Sequence, residues 1–105
     1  VVYQAATGPV DAANEFLGHV RDAAFDEAFE LADPGCFADG ELDQLEQFFV
    51  DLPLESYDLD GTERFTGGGA ATGTVVLEGA GERDIRVDLT NDDGWRVCGI
   101  DVTVG

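Results

Sequence analysis

The sequence contains no lysine, one histidine and five basic residues, all arginine, against 23 aspartates and glutamates. Without lysine, the chain has neither a Schiff-base nucleophile nor the lysine of a P-loop. With His19 as the one histidine, it has no metal site built on two imidazoles. The shortage of cations also disfavours nucleic acid and anionic membrane surfaces as partners, because binding to either depends on Lys and Arg.

Long apolar runs are also missing. The longest apolar runs are short segments such as Phe48–Val50 and Val75–Leu77, far below the roughly 20 residues that span a bilayer. The chain begins on valine and not methionine, which predicts that residues 1–7 are a tail left by removal of a signal segment or membrane anchor. We therefore expect an extracytoplasmic, cell-surface or secreted location, with residues 8–105 forming one domain.

The net charge of −18 in 105 residues indicates the kind of environment in which this protein folds, but it does not identify a ligand. One interpretation is a salt-rich environment, where carboxylates hold hydration and prevent association; the other is a low-salt secreted protein made acidic for solubility. The charge does not indicate disorder. The chain is 44% hydrophobic and has seven phenylalanines, enough for a single core of ordinary size.

The cysteines, Cys36 and Cys98, are even in number, which in an oxidising compartment allows one disulfide. Such a bridge would join the loop after the second predicted helix to the closing strand. The alternative is two buried free thiols. Nothing around either cysteine is electropositive enough to favour a thiolate, so we do not expect a Cys–His nucleophile pair with His19.

Apolar residues at helical spacing predict three helices in the first half of the chain. The first covers 9–21, with a proline in its first turn. Asp22 is expected to cap the second, which ends at Asp33–Gly35. The third opens at Asp39–Gly40 and closes at Pro53. The expected inward residues are Val10, Ala13, Phe16, Leu17, Val20, Phe25, Ala28, Phe29, Ala32, Leu42, Leu45, Phe48, Phe49 and Leu52.

The apolar period then changes to two, which predicts strands with one wet face. In the last strand the period slips by one residue around Cys98 and Gly99, which indicates a β-bulge. Glycines predict turns at 60–61, 67–69, 79–81 and 91–94. The predicted fold class is α+β, with three N-terminal helices packed on a curved antiparallel sheet of about four strands, and with Phe16 and Trp95 in the core.

Two stretches resemble a known superfamily. The first is Gly8–Pro34, with its Gly-Pro-Val start and the Ala-Ala-Phe-x-x-Ala-Phe-x-Leu run of Ala23–Leu31; the second is Asp93–Val97. They resemble the small extracytoplasmic cystatin-like domains of the nuclear transport factor 2-like superfamily, including lumazine-binding-like domains of bacterial or archaeal lipoproteins and membrane-anchored proteins. The resemblance implies a cone-shaped roll with a pocket at its open end and a homodimer formed through the sheet. It carries over no catalytic residue.

Closely spaced carboxylates around a glycine, at Asp58, Asp60 and Glu63, suit a hard cation such as calcium. Their spacing does not satisfy the EF-hand loop, and so many acids produce such clusters by chance. The alternative is an exposed hairpin in which Asp60–Gly61 makes the turn. We therefore expect neither a metal nor a cofactor.

Tyr57, Trp95 and Asp101 are the candidate pocket residues. Some superfamily members are ketosteroid isomerase-like or dehydratase-like and place an acid–base residue in the cone, a role that Asp101 would take here. However, Asp101 alternates with Ile100 and Val102, which places it on the wet face of the sheet. No convergent acid–base set accompanies it, so we expect no catalytic residue.

Two hypotheses follow. The first is a noncatalytic ectodomain that binds a protein partner or small ligand, or assembles with copies of itself. It predicts a pocket that is shallow or filled by phenylalanine side chains. The second is a small pocket enzyme, which predicts an open cone with Asp101 or His19 pointing into it.

Thermal stability is expected to rise with salt. Raising the ionic strength from about 0.1 M to about 1 M shortens the Debye length from roughly 10 Å to roughly 3 Å, which screens repulsion among the carboxylates. The melting temperature should increase in sodium chloride and in potassium chloride alike. A flat or falling melting temperature would show that the surface is not under electrostatic stress, and a full gain from micromolar calcium alone would indicate specific binding instead.

Overall fold

The computed structural model of the chain describes residues 9–91 and 94–103. In this part of the chain, three helices precede four strands, which confirms the predicted α+β class. The elements are α1 (Pro9–Arg21), α2 (Phe25–Glu30), α3 (Glu41–Asp51), β1 (Leu54–Phe65), β2 (Gly68–Leu77), β3 (Gly81–Asn91) and β4 (Trp95–Val102), with a short 3-10 helix at Pro34–Cys36. The predicted tail at 1–7, and parts of the 91–94 turn and of the last strand, lie outside the described residues.

Helix α1 is the element on which the core is built. It packs against α2 and all four strands, and Ala13, Phe16 and Leu17 have no exposed surface. The ring of Phe16 lies 6.5 Å from that of Phe29, between ring centroids. The predicted apolar face of the first helix is therefore confirmed as the centre of the core.

The strands form one antiparallel sheet in the order β1-β2-β3-β4, so β1 and β4 are its edges. The helix-facing side is apolar and the opposite side, called here the open face, is polar. Buried residues on the helix-facing side are Leu54, Ala71, Val75, Leu77, Ile85, Val87, Leu89 and Val97. The alternation in the sequence thus predicted which side of the sheet is covered.

The predicted bulge in the last strand is also confirmed. Leu89 pairs with Val97 and Asp88 pairs with Gly99, which leaves Cys98 as the extra residue. Because the bulge absorbs one residue, Ile100 and Val102 return to the helix-facing side together with Val97.

The turn predicted at Asp60–Gly61 is wrong. Both residues lie inside β1, where the pairing with β2 shifts register between Leu59 and Gly61. The chain reverses at Thr66–Gly67, at the start of the turn predicted for 67–69, and Gly67 has a φ of 83°, which glycine adopts without strain. Glycine marks bulges as well as turns, and here it marks an irregularity in a strand.

The second helix differs from the prediction at both ends. Asp22 does not cap it, since Ala24 occupies the N-cap without a side-chain hydrogen bond. The helix ends at Glu30, before Ala32, because Leu31 and Asp33 form backbone hydrogen bonds with β4. Backbone pairing with β4 therefore ends the helix earlier than the apolar periodicity of the sequence predicts.

Trp95 is only partly buried, at the edge of the core and not within it. The guanidinium carbon of Arg64 lies 5.8 Å from the centroid of its indole ring, close enough for a cation–π interaction.

Replacing Phe16 with alanine should lower the free energy of unfolding by about 3–5 kcal/mol, because it removes a buried ring and leaves a cavity. The matched control is Phe65→Ala, since the Phe65 side chain is 53% exposed. Urea denaturation of both variants at fixed salt provides the comparison. Equal effects at the two positions would remove Phe16 from the core.

Candidate functional site

A groove separates α3 from the edge strand β4. Its volume is about 380 Å³, and it opens to solvent. One wall is formed by Phe37, Glu41, Gln44, Leu45 and Phe48, and the other by the continuous segment Cys98–Val102. Most of these side chains are apolar, and most lie at intermediate depth between surface and core.

Helix α3 presents two different apolar surfaces. Phe49 is 2% exposed and belongs to the core, whereas its neighbour Phe48 lines the groove. The two rings meet edge to face, with centroids 5.1 Å apart. Phe49 therefore anchors the helix while Phe48 remains available to a ligand.

The start of α3 is fixed by its own backbone and first turn. Gly40 precedes the helix with a φ of 86°, a conformation that glycine adopts without strain. The carboxylate of Glu41 accepts a hydrogen bond of 2.8 Å from the backbone N–H of Ala38. The same first turn places Glu41 at one wall of the groove, where its charge also complements the helix dipole.

A disulfide between Cys36 and Cys98 closes one end of the groove, which confirms the predicted pairing. The Cα atoms of the two residues lie 5.1 Å apart. Because Phe37 follows Cys36 directly, the bridge holds this ring beside the bulge of β4. A disulfide that joins the loop before α3 to β4 fits an oxidising compartment.

The predicted pocket residues occupy three different places. Tyr57 lies beside α1, with the guanidinium carbon of Arg21 5.6 Å from its ring centroid. Trp95 lines a separate hollow of about 200 Å³ together with Arg64 and neighbouring residues of the β1–β2 turn. Asp101 is exposed and lies on the rim that the groove shares with the open face. Of the three, Asp101 is the one that borders the groove.

The open face of the sheet is predominantly acidic. Arg86 forms ion pairs of 2.9 Å with both Asp88 and Glu63. The hydrogen bonds to the two carboxylates raise the pKa of Arg86, and the bond to Asp88 has the larger effect. Beside them, a hollow of about 470 Å³ is lined by Asp60, Asp84 and Asp101 together with threonines of β2.

Asp58, Asp60 and Glu63, whose spacing argues against a calcium site, do not form a hairpin. Residues 58–63 are part of the extended strand β1, and the carboxylate of Glu63 accepts a hydrogen bond from Arg86. Within residues 9–91 and 94–103, no group of three or more His, Cys, Asp or Glu side chains is placed to hold a metal ion. In the same residues, no helix is both long and apolar enough to cross a membrane.

The groove as a site was not predicted from the sequence. Helical spacing predicts Leu45 and Phe48 on α3 as core residues. No pattern in the sequence singles out Phe37, Glu41 or Gln44 as part of a site. One available signal was the width of the apolar stripe on α3, since adjacent Phe48 and Phe49 point to two different surfaces. The distance between α3 and β4, which opens the groove, is a property of the tertiary structure.

Comparison with known proteins yields no relative: the chain matches no family model, no curated protein and no solved structure. The function is therefore inferred from the groove and its surroundings.

Removing the disulfide should destabilise the protein and loosen the groove. The bridge spans 62 residues, for which the chain-entropy model gives a contribution of about 4 kcal/mol. The double variant Cys36→Ala with Cys98→Ala should therefore lose about 2–4 kcal/mol in urea denaturation. An unchanged free energy of unfolding, or two alkylatable thiols in protein refolded under oxidising conditions, would contradict the structural role of the bridge.

Proposed function

We propose that this chain is a noncatalytic extracytoplasmic binding domain that holds an apolar group of a protein partner or small ligand in the groove between α3 and β4. The observation that carries the proposal is the open, mostly apolar lining of the groove in a protein whose net charge is −18. Its most apolar walls are Phe37, Leu45, Phe48, Ile100 and Val102.

An apolar groove is unusual on such a surface. Phe37, Leu45 and Phe48 are only partly buried, so this strip keeps phenylalanine and leucine side chains in contact with solvent. The groove volume of about 380 Å³ falls within the range of small-molecule and side-chain pockets. Burial of these side chains by a ligand would stabilise the complex through the hydrophobic effect.

The compartment and family belong to the same proposal. The Cys36–Cys98 bridge supports an oxidising, extracytoplasmic environment. Helices covering one side of a four-stranded antiparallel sheet are compatible with a cystatin-like roll of the nuclear transport factor 2-like superfamily. The acidic surface fits an environment of high salt.

The pocket-enzyme alternative has weaker support. Its candidate base, Asp101, is exposed on the rim of the groove, as is Glu41 on the opposite wall. A general base acts best in a site that excludes water and holds a second polar group toward the substrate. His19 lies on α1 and is not among the residues that line the groove.

The neutral fluorophore N-phenyl-1-naphthylamine should bind in the groove, with its fluorescence rising on transfer from water. Leu45→Glu places a charge in the groove wall and should weaken binding about tenfold or more, as expected when a site loses an apolar contact of roughly 1.5–3 kcal/mol.

The matched control is Val50→Glu, which adds the same charge to the same helix at a side chain that is 53% exposed and outside the groove. It should leave the affinity within about twofold, a change well below 1 kcal/mol. Melting temperatures of both variants verify that they fold. Equal affinities of the two folded variants, or no binding by the native protein, would contradict the proposal.

A further inference from the structure

We propose that the free edge of β4 binds an extended peptide whose side chains alternate between apolar and basic, and that this peptide adds a fifth strand to the sheet. The inference rests on the proposed binding function of the groove and names its class of partner. It is carried by strand backbone that no other described residue pairs with, at the wall of an apolar groove with an acidic rim.

The outer edge of β4 already pairs with a short segment, Leu31–Asp33, at its beginning. The backbone N–H of Val97 donates to the carbonyl of Leu31 over 2.8 Å, and the N–H of Asp33 donates to the carbonyl of Val97 over 2.8 Å. Ala32 thereby forms a parallel bridge to Val97. The disulfide at Cys98 follows directly, and the chain then turns away into the loop that leads to α3.

Beyond the disulfide, the backbone of the same edge faces the groove. The N–H of Thr103 donates to the carbonyl of Asp84 on β3, over 2.9 Å. Because residues in an antiparallel pair alternate between facing toward and away from the partner strand, the backbone groups of Ile100 and Val102 point away from β3. The segment Cys98–Val102 lines the groove, so these groups are directed to its interior.

An added strand would continue both faces of the sheet. Residues opposite Ile100 and Val102 would lie on the helix-facing side, against Leu45 and Phe48 of α3. Their neighbours would lie on the open face beside Asp101. Since side chains of a strand alternate between faces, the fitting sequence alternates apolar residues with others that meet carboxylates.

The negative charge of the surroundings favours basic residues at the peptide positions that would lie on the open face. Asp84 and Asp101 line the hollow on the open face next to the edge, and Glu41 stands on the other wall of the groove. Arg86 lines the same hollow opposite Asp101, but its guanidinium is already paired with Asp88 and Glu63. A peptide carrying arginine or lysine at alternate positions meets opposite charge on the open face, and the field of a protein with net charge −18 also accelerates its approach.

A second copy of this chain fits the edge less well. Antiparallel pairing of β4 with itself, with Ile100 opposite Val102 of the other copy, would set Asp101 directly opposite Asp101. Like charges in that position destabilise a strand pair. The whole-molecule repulsion between two such acidic copies acts in the same direction.

The probe is a blocked six-residue peptide of alternating arginine and valine. Added to the ¹⁵N-labelled protein, it should slow amide hydrogen exchange at Ile100 and Val102 at least tenfold. The amide of Asp101, which already faces β3, is the internal control and should change little. A glutamate–valine peptide of the same length should bind at least tenfold more weakly. Protection absent at both Ile100 and Val102 while the arginine peptide binds would overturn the proposal.

Backbone methylation identifies the paired edge. One probe is methylated at the valine nitrogens and the other at the arginine nitrogens. The first should lose binding if the added strand runs antiparallel to β4, and the second if it runs parallel, because opposite sets of N–H groups then face Ile100 and Val102. Undiminished binding of both methylated probes would show that no strand is added.

These results separate the two proposals. If N-phenyl-1-naphthylamine binds the groove but the arginine–valine peptide does not bind, the inference about the partner fails and the proposed binding function stands. If neither probe binds, both fail. Concentration-dependent protection of Ile100 without any peptide would assign the edge to a second copy of the chain and would overturn the peptide proposal.

Discussion

Apolar packing around α1 is the interaction on which the rest of this structure depends. Charge opposes folding here, since 23 carboxylates face five arginines. The ion pairs formed between described side chains, Arg21–Asp22, Arg86–Glu63 and Arg86–Asp88, are all substantially exposed to solvent and therefore contribute little. The attraction that offsets repulsion must come from the buried faces of α1 and the sheet, where Phe16 and Leu17 touch no water.

The edge strand β4 shapes the groove beside that core. Its bulge at Cys98 shifts the register by one residue, so that Val97, Ile100 and Val102 all face the helices. The disulfide at the same residue fixes the preceding loop, and with it Phe37, beside the strand. Past this point nothing in the described chain lies on the edge of β4, and α3 stands across a gap. A single irregularity in one strand thus determines where the groove begins.

The sequence predicts those features whose cause is local. Helical spacing places Phe16 in the core and Phe49 on α3, and the phase slip at Cys98 indicates the bulge, because both patterns follow directly from backbone periodicity. The prediction fails where one local signal has two outcomes: Asp60–Gly61 suits a hairpin and a bulge equally, and only pairing with β2 decides between them.

The remaining differences arise from tertiary contacts. Asp22 has the chemistry of an N-cap, but the chain after α1 makes backbone hydrogen bonds to the end of that helix instead, through Asp22 and Ala24. Ala32 has the spacing of a helical residue and yet pairs with Val97. The groove also depends on tertiary contacts, because the distance between α3 and β4 is set by how Phe49 anchors the helix in the core. Sequence periodicity identifies an apolar face without specifying which part of it remains uncovered.

Salt has opposite effects on the two consequences of the acidic surface, the stability of the fold and the attraction of a cationic partner. Screening relieves repulsion among the carboxylates and stabilises the fold, but it also weakens attraction between the rim, at Glu41 and Asp101, and a cationic partner. The apolar contacts with Leu45 and Phe48 are not screened, and salts that are excluded from protein surfaces strengthen such burial. In a salt-rich environment the groove lining would therefore supply most of the affinity, while the carboxylates would mainly discriminate against acidic partners. With the groove binding as proposed, this division of roles would give so acidic a protein a use for an apolar strip that is open to solvent.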